Sequence, residues 1–155
     1  MSSRDYEEFL ASLNAHGARY LLVGAHAVAH HARPRATKDL DVYVEPTTEN
    51  AERVLAAVRD FFGGADLGLA AADLTAPQRV VQLGVAPARI DLLSSLAAIH
   101  DFAAAWERRV DARFGEVDTH FLGLDDLIAE KEGAGRDQDR ADLRSLRAAR
   151  RRGEA

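Results

Sequence analysis

The chain has 155 residues, the length of one compact domain, and its 47% hydrophobic and 29% charged residues are the ordinary balance of a globular protein. Zero cysteines exclude disulfides and thiolate metal sites. No apolar run approaches the roughly 20 residues that span a bilayer, and MSSRDYEEFL has no apolar signal-peptide core, so a cytoplasmic protein is expected. The net charge of −5 hides an asymmetry, because residues 136–155 hold seven Arg against four Asp or Glu. A basic tail on an acidic body offers one surface to phosphates and another to cations; a solvated terminal helix is the other reading of the same charges.

In chain order, Tyr6, Phe9, Leu10 and Leu13 fall at helical spacing within residues 4–16, with Gly17 as the C-cap. Tyr20-Leu21-Leu22-Val23 reads as a strand that stops at Gly24. Gly24 lets the backbone turn sharply and come close to a ligand, and the free N–H groups of the following short helix favour a phosphate there. His26 and His30, one turn apart in that helix, have zinc-ligand spacing, but no third ligand lies near and the Glu of H-E-x-x-H is missing. A dinucleotide fingerprint is also missing after the strand. Beyond Pro34 a second strand carries Asp39 and Asp41 on one face and Leu40, Val42 and Val44 on the other. Side-by-side carboxylates on a sheet repel, and a divalent cation would relieve them.

Thr48 is placed to cap a helix over residues 49–62, with Val54, Leu55, Val58, Phe61 and Phe62 as its apolar face. Residues 63–77 read as a loop with a short helix. A hairpin follows: a third strand over 79–84, a turn at Pro87, and a fourth strand over 89–93. On the fourth strand Arg89, Asp91 and Leu93 share a face, so Asp91 either joins the upstream carboxylates or pairs with Arg89. A helix is expected over 95–109, with Leu96, Ile99, Phe102, Ala103 and Trp106 on one side, and a fifth strand over 115–122. In the helix LDDLIAEK, Lys131 lies on the apolar stripe, where it either snorkels to water or reaches into a site. After Gly133 and Gly135 a last helix runs over about 137–150. Arg136, Arg140, Arg144, Arg147 and Arg151 line one stripe of it, and Asp139 lies on the opposite side beside Leu143 and Leu146, wanting a cationic partner.

The apolar residue before Gly24-Ala25, thirteen further residues, then Asp39-Leu40-Asp41-Val42 resembles the signature of the polymerase-β-type nucleotidyltransferases. Arg35-x-Thr37-x-Asp39-x-Asp41 is similar to the form found in the bacterial abortive-infection-type and minimal nucleotidyltransferases, and R-I-D-L-L around Asp91 resembles the later strand of that family. The run Leu127, Lys131, Gly135-Arg136, Asp139 and Asp142 extends the likeness to roughly residues 18–145. Two positions depart from it: Ala25 stands where Gly or Ser is usual, and Gln138 where Lys is frequent.

The resemblance implies an α/β (α+β) nucleotidyltransferase fold, one domain over 1–155 with a mixed or antiparallel sheet of four or five strands flanked by helices. It implies Mg²⁺ or Mn²⁺ held by Asp39, Asp41 and Asp91, which would also be the catalytic residues. An NTP would be bound by Gly24, Ala25, Arg35 and Lys131. The activity implied is transfer of a nucleoside monophosphate to RNA, a protein or a small molecule, within a toxin–antitoxin or abortive-infection system whose cognate antitoxin or toxin would be a partner. RNA contacts are expected from Arg136, Arg140, Arg144 and Arg147. Two other readings stay open: a catalytically weak protein of the same fold that binds a regulatory partner, favoured by Ala25, and a nucleic-acid-binding module using the arginine stripe.

Overall fold

The computed structural model describes residues 3–34, 39–85 and 88–154; Arg35, Thr37 and the turn at Pro87 lie outside the described residues. Helix α1, Ser3–Ala15, buries Tyr6, Phe9, Leu10 and Leu13 and ends where Gly17 takes φ +66° and the Ala18 N–H returns to the Leu13 carbonyl at 3.1 Å. Strand β1, Tyr20–Val23, is buried throughout, and α2, Gly24–His31, starts directly from it. Strand β2, Asp39–Val44, follows.

Helix α3, Thr48–Phe61, is capped by Thr47, whose Oγ1 accepts the Asn50 N–H at 3.2 Å. The expected cap, Thr48, is instead the first helical residue. The fully buried Asn50 closes this corner: its amide donates to the carbonyls of Arg19 and Glu45 at 3.0 Å each and accepts the Arg19 N–H at 2.8 Å. A single side chain thus ties the start of β1 to the end of β2 and satisfies every polar atom it buries.

A short 3₁₀ turn, Ala71–Leu74, precedes the hairpin of β3, Val80–Val85, and β4, Ala88–Leu93. The helix expected over 95–109 is only α4, Phe102–Glu107, capped by Asp101. Upstream of it the N–H groups of Ala97 and Ala98 donate to the Glu130 carboxylate at 2.9 and 2.8 Å, so a distant side chain holds backbone that the periodicity assigns to a helix. A second hairpin, β5, Val110–Phe114, and β6, Val117–Phe121, turns at Gly115 with φ +61°. Helix α5, Leu124–Ala134, runs through Gly133 and ends at Gly135 with φ +68°, and α6, Asp137–Glu154, is longer than expected.

Six strands form one mixed sheet in the order β3-β4-β2-β1-β6-β5, one more than the upper expectation because β5 is a strand. β1 lies antiparallel to β2 and parallel to β6, and β2 lies parallel to β4. Leu21, Leu22, Leu40, Val42, Ile90 and Leu92 are completely buried in the middle of this sheet. Helices α1 and α3 pack together, while α2 packs on β1 and β2 and against α5 and α6. Among the described residues no helix is long and apolar enough to cross a membrane.

Candidate active site

Parallel pairing of β2 with β4 decides what the carboxylates meet. In register, Asp39 faces Arg89 and Asp41 faces Asp91, so four charged residues occupy one patch of one sheet face. On the other side of β2, Val23 pairs with Asp41, which brings Gly24 to the same place. Gly24 has φ +68°, and a Cβ built on it would overlap the Asp41 carboxylate. Glycine is required there twice over, for the left-handed backbone and for the close approach. Ala25 is buried at the second position of α2.

The electrostatics follow from the crowding. Burial, then the charges of Asp91 and Asp39, push the Asp41 carboxyl up to about 6, with the positive charge of Lys131 opposing. Asp91 is buried and also raised, by burial and by Asp39, against the pull of Arg89. Asp41 and Asp91 face each other across the paired strands, so each carboxyl makes ionising the other harder. The Arg89 guanidinium lies 3.3 Å from Asp91 and 3.6 Å from Asp39, so it bridges the two strands. Tyr6 of α1 donates its hydroxyl to the Arg89 carbonyl at 3.3 Å.

Of the residues singled out in the sequence, Gly24, Asp39, Asp41 and Asp91 therefore come together. Lys131 is buried. Its Nζ sits 3.1 Å from Asp139 and 3.2 Å from Asp142, between α5 and α6, while its field reaches Asp41. Asp139, with no exposed surface, has the cationic partners it needs: besides Lys131, Arg136 grips it with its Nε at 2.7 Å and its backbone N–H at 3.0 Å. Although burial opposes ionisation, these hydrogen bonds hold Asp139 below the usual carboxylate range. Gln138 donates to Asp142 at 3.2 Å.

The α2 histidines have packing roles. His26 sits edge-on between Tyr6 and Phe114, and His30 stacks on Phe121 with ring centroids 4.3 Å apart. His31 donates to the Leu122 carbonyl at 2.7 Å. Burial lowers the pKa of both His30 and His31.

Arg89 is the residue whose part in the patch the sequence reading understated, since there it is only one alternative partner of Asp91. D-L-D and R-I-D yield that role only once the two strands are known to pair in parallel, which puts Arg89 opposite Asp39 as surely as Asp91 opposite Asp41. Among the described residues no group of three or more His, Cys, Asp or Glu is set to hold a metal ion. The donor chemistry nevertheless suits a hard divalent cation: oxygen ligands only, on adjacent strands, two of them with raised pKa values and so in want of positive charge.

A search among curated proteins returns no match. A family model described as "Nucleotidyltransferase of unknown function (DUF6036)" matches residues 4–151, a span that includes every strand of the sheet and the whole carboxylate patch. The chain belongs to this family of nucleotidyltransferases of unknown function.

Proposed function

We propose that the protein transfers a nucleoside monophosphate from an NTP to an acceptor hydroxyl with release of pyrophosphate. The observation that carries the reading is Asp41 directly opposite Asp91, with the Gly24 backbone against the Asp41 carboxylate where α2 begins. Asp39, Asp41 and Asp91 would hold Mg²⁺ or Mn²⁺, which when bound supplies positive charge to the triphosphate. Asp91 accepts the proton of the attacking hydroxyl; the acceptor oxygen bonds to the α-phosphorus as the bond to the β-phosphate oxygen breaks. The first N–H groups of α2, at Gly24 and Ala25, donate to phosphate oxygens. Lys131 and Arg136 act through space, since both lie within electrostatic reach of Asp41. Arg89 in this reading is the resident counter-ion of the carboxylates and yields its place to the metal. For such chemistry, positioning and charge compensation are most of what a protein contributes.

Calorimetric titration of Mn²⁺ with and without NTP tests the reading. Wild type should bind Mn²⁺, and Asp91→Asn should lose that binding while remaining folded. Binding retained by Asp91→Asn would remove Asp91 from the site. A second reading has its own observation: Arg89 already neutralises two of the carboxylates, and Ala25 offers no hydroxyl. In that case the fold serves to bind a protein partner, such as the other half of a toxin–antitoxin pair, and wild type shows no metal binding at all.

A further inference from the structure

We propose that the groove between α2 and α6 binds the phosphodiester backbone of a single-stranded nucleic acid through Arg33, Arg144 and Arg152. Two adjoining hollows of about 380 and 360 Å³ share Arg33, Ala141 and Ser145 in their walls. The first is completed by Ala32, Ala148, Arg144 and Arg152, so three guanidinium groups surround a floor of small side chains.

The ion pairs of α6 single out these arginines. Arg136 is held by Asp139 at 2.7 Å, Arg140 by Asp137 at 3.1 Å, Arg147 by Glu132 at 3.6 Å and Arg150 by Asp125 at 3.5 Å. Three of the four arginines expected to meet RNA are thus already paired within the protein. Arg33, Arg144 and Arg152 are exposed and, among the described residues, have no carboxylate at ion-pair distance. Arg151 of the stripe is likewise exposed and, among the described residues, without such a partner, but it lines neither hollow, so the unpaired arginines that share one concave surface are Arg33, Arg144 and Arg152.

Unpaired guanidinium groups match phosphate geometry with their planar fork. An alanine floor lets a sugar–phosphate chain lie close, and no aromatic ring lines either hollow, so backbone contact rather than base stacking is the mode. The one carboxylate in the second hollow, Asp142, is compensated by Lys131 at 3.2 Å and by Gln138. Helix α2, which lines the groove with Val28 and Ala32, begins at Gly24 against the Asp41 carboxylate. A strand in the groove would thus run toward the carboxylate patch. That orientation rests on the proposed transfer reaction; the binding itself does not.

The test is fluorescence anisotropy in EDTA without NTP, so the outcome is independent of metal and of transfer. The probes are a short labelled RNA, the DNA of the same sequence, and a labelled oligoglutamate peptide. Three phosphate contacts at roughly −0.7 each give a salt slope of about −2, a loss of about twentyfold in affinity between about 50 and 200 mM salt. Replacing Arg33, Arg144 and Arg152 together with Gln should remove that slope. Replacing the same three with Lys should keep it, and replacing Arg140 and Arg147 with Gln should leave it nearly intact. Equal binding of RNA and DNA, or preference for either, supports backbone recognition and says which strand is preferred. The proposal is overturned if wild type shows no salt-dependent binding, if the paired arginines matter as much as the three in the groove, or if oligoglutamate binds as tightly as the nucleic acids.

Discussion

Replacing Asp41 with Asn isolates the electrostatic cost built into the carboxylate patch. The Asp41 carboxyl rises from 3.8 to about 6 on folding. Ionising it therefore costs more in the folded chain than in the unfolded one. Between those two values the unfolded chain binds fewer protons, so stability falls as pH rises through that window and the loss is complete by neutral pH. At about 1.4 kcal/mol per unit the penalty is at most about 3 kcal/mol. Asn has nearly the same shape and carries no charge. At pH near 7 in EDTA, Asp41→Asn should therefore melt higher than wild type, by up to roughly 6–12 °C for a chain of this size. At a pH near 4 the two should converge, because the folded-state Asp41 carboxyl is then largely neutral. Millimolar Mg²⁺ should raise the wild-type midpoint and leave the variant nearly unmoved, because a ligand stabilises only the state that binds it. Thermal melts followed by circular dichroism at two pH values, with and without Mg²⁺, give all four comparisons. An Asp41→Asn protein that melts at or below wild type in EDTA at neutral pH would refute the reasoning, since no repulsion would then be stored between these side chains.

Gly24→Ala places a Cβ on the Asp41 carboxylate in a left-handed conformation. The backbone alone costs about 1–2 kcal/mol, and melts should fall by roughly 2–8 °C together with a loss of Mn²⁺ affinity by calorimetry. Arg89→Gln removes the ion pairs to Asp39 and Asp91. Being partly exposed, these contribute about 1 kcal/mol or less, so the metal-free protein should melt only a few degrees lower. Its Mn²⁺ affinity should rise several-fold because the competing cation is gone; unchanged or weaker binding would mean that Arg89 stays in place beside the metal.

The elements nearest the patch were legible because their signals are local. Strand β1 is a buried apolar run ended by glycine, and alternation put Asp39 and Asp41 on one face without knowledge of their neighbours. The sequence could not reveal that β2 and β4 pair in parallel, and the bridging role of Arg89 depends on that register. Strand β5 was not expected although Val110, Ala112 and Phe114 alternate with exposed residues, because five residues with Asp111 and Arg113 among them make only a short, weakly apolar alternation. The helix expected from 95 starts only at Phe102, and the Glu130 carboxylate that holds the Ala97 and Ala98 amides upstream of it comes from 33 and 32 residues away in the chain. The position of Lys131 on an apolar stripe was visible, but its partners Asp139 and Asp142 belong to the next helix. A stripe of arginines on a helical wheel likewise says nothing of which members are already paired across helices.

The most direct measurement is label transfer from α-³²P NTPs. Each nucleotide is incubated with the protein, Mg²⁺ or Mn²⁺ and a cell extract that supplies acceptors, and both released pyrophosphate and labelled product are followed. At least one NTP should give product in step with pyrophosphate, and this should require the metal and disappear in Asp41→Asn and Asp91→Asn. Transfer that persists in those variants would contradict the assignment of the carboxylate patch, and no transfer from any NTP with either metal would contradict the proposed reaction.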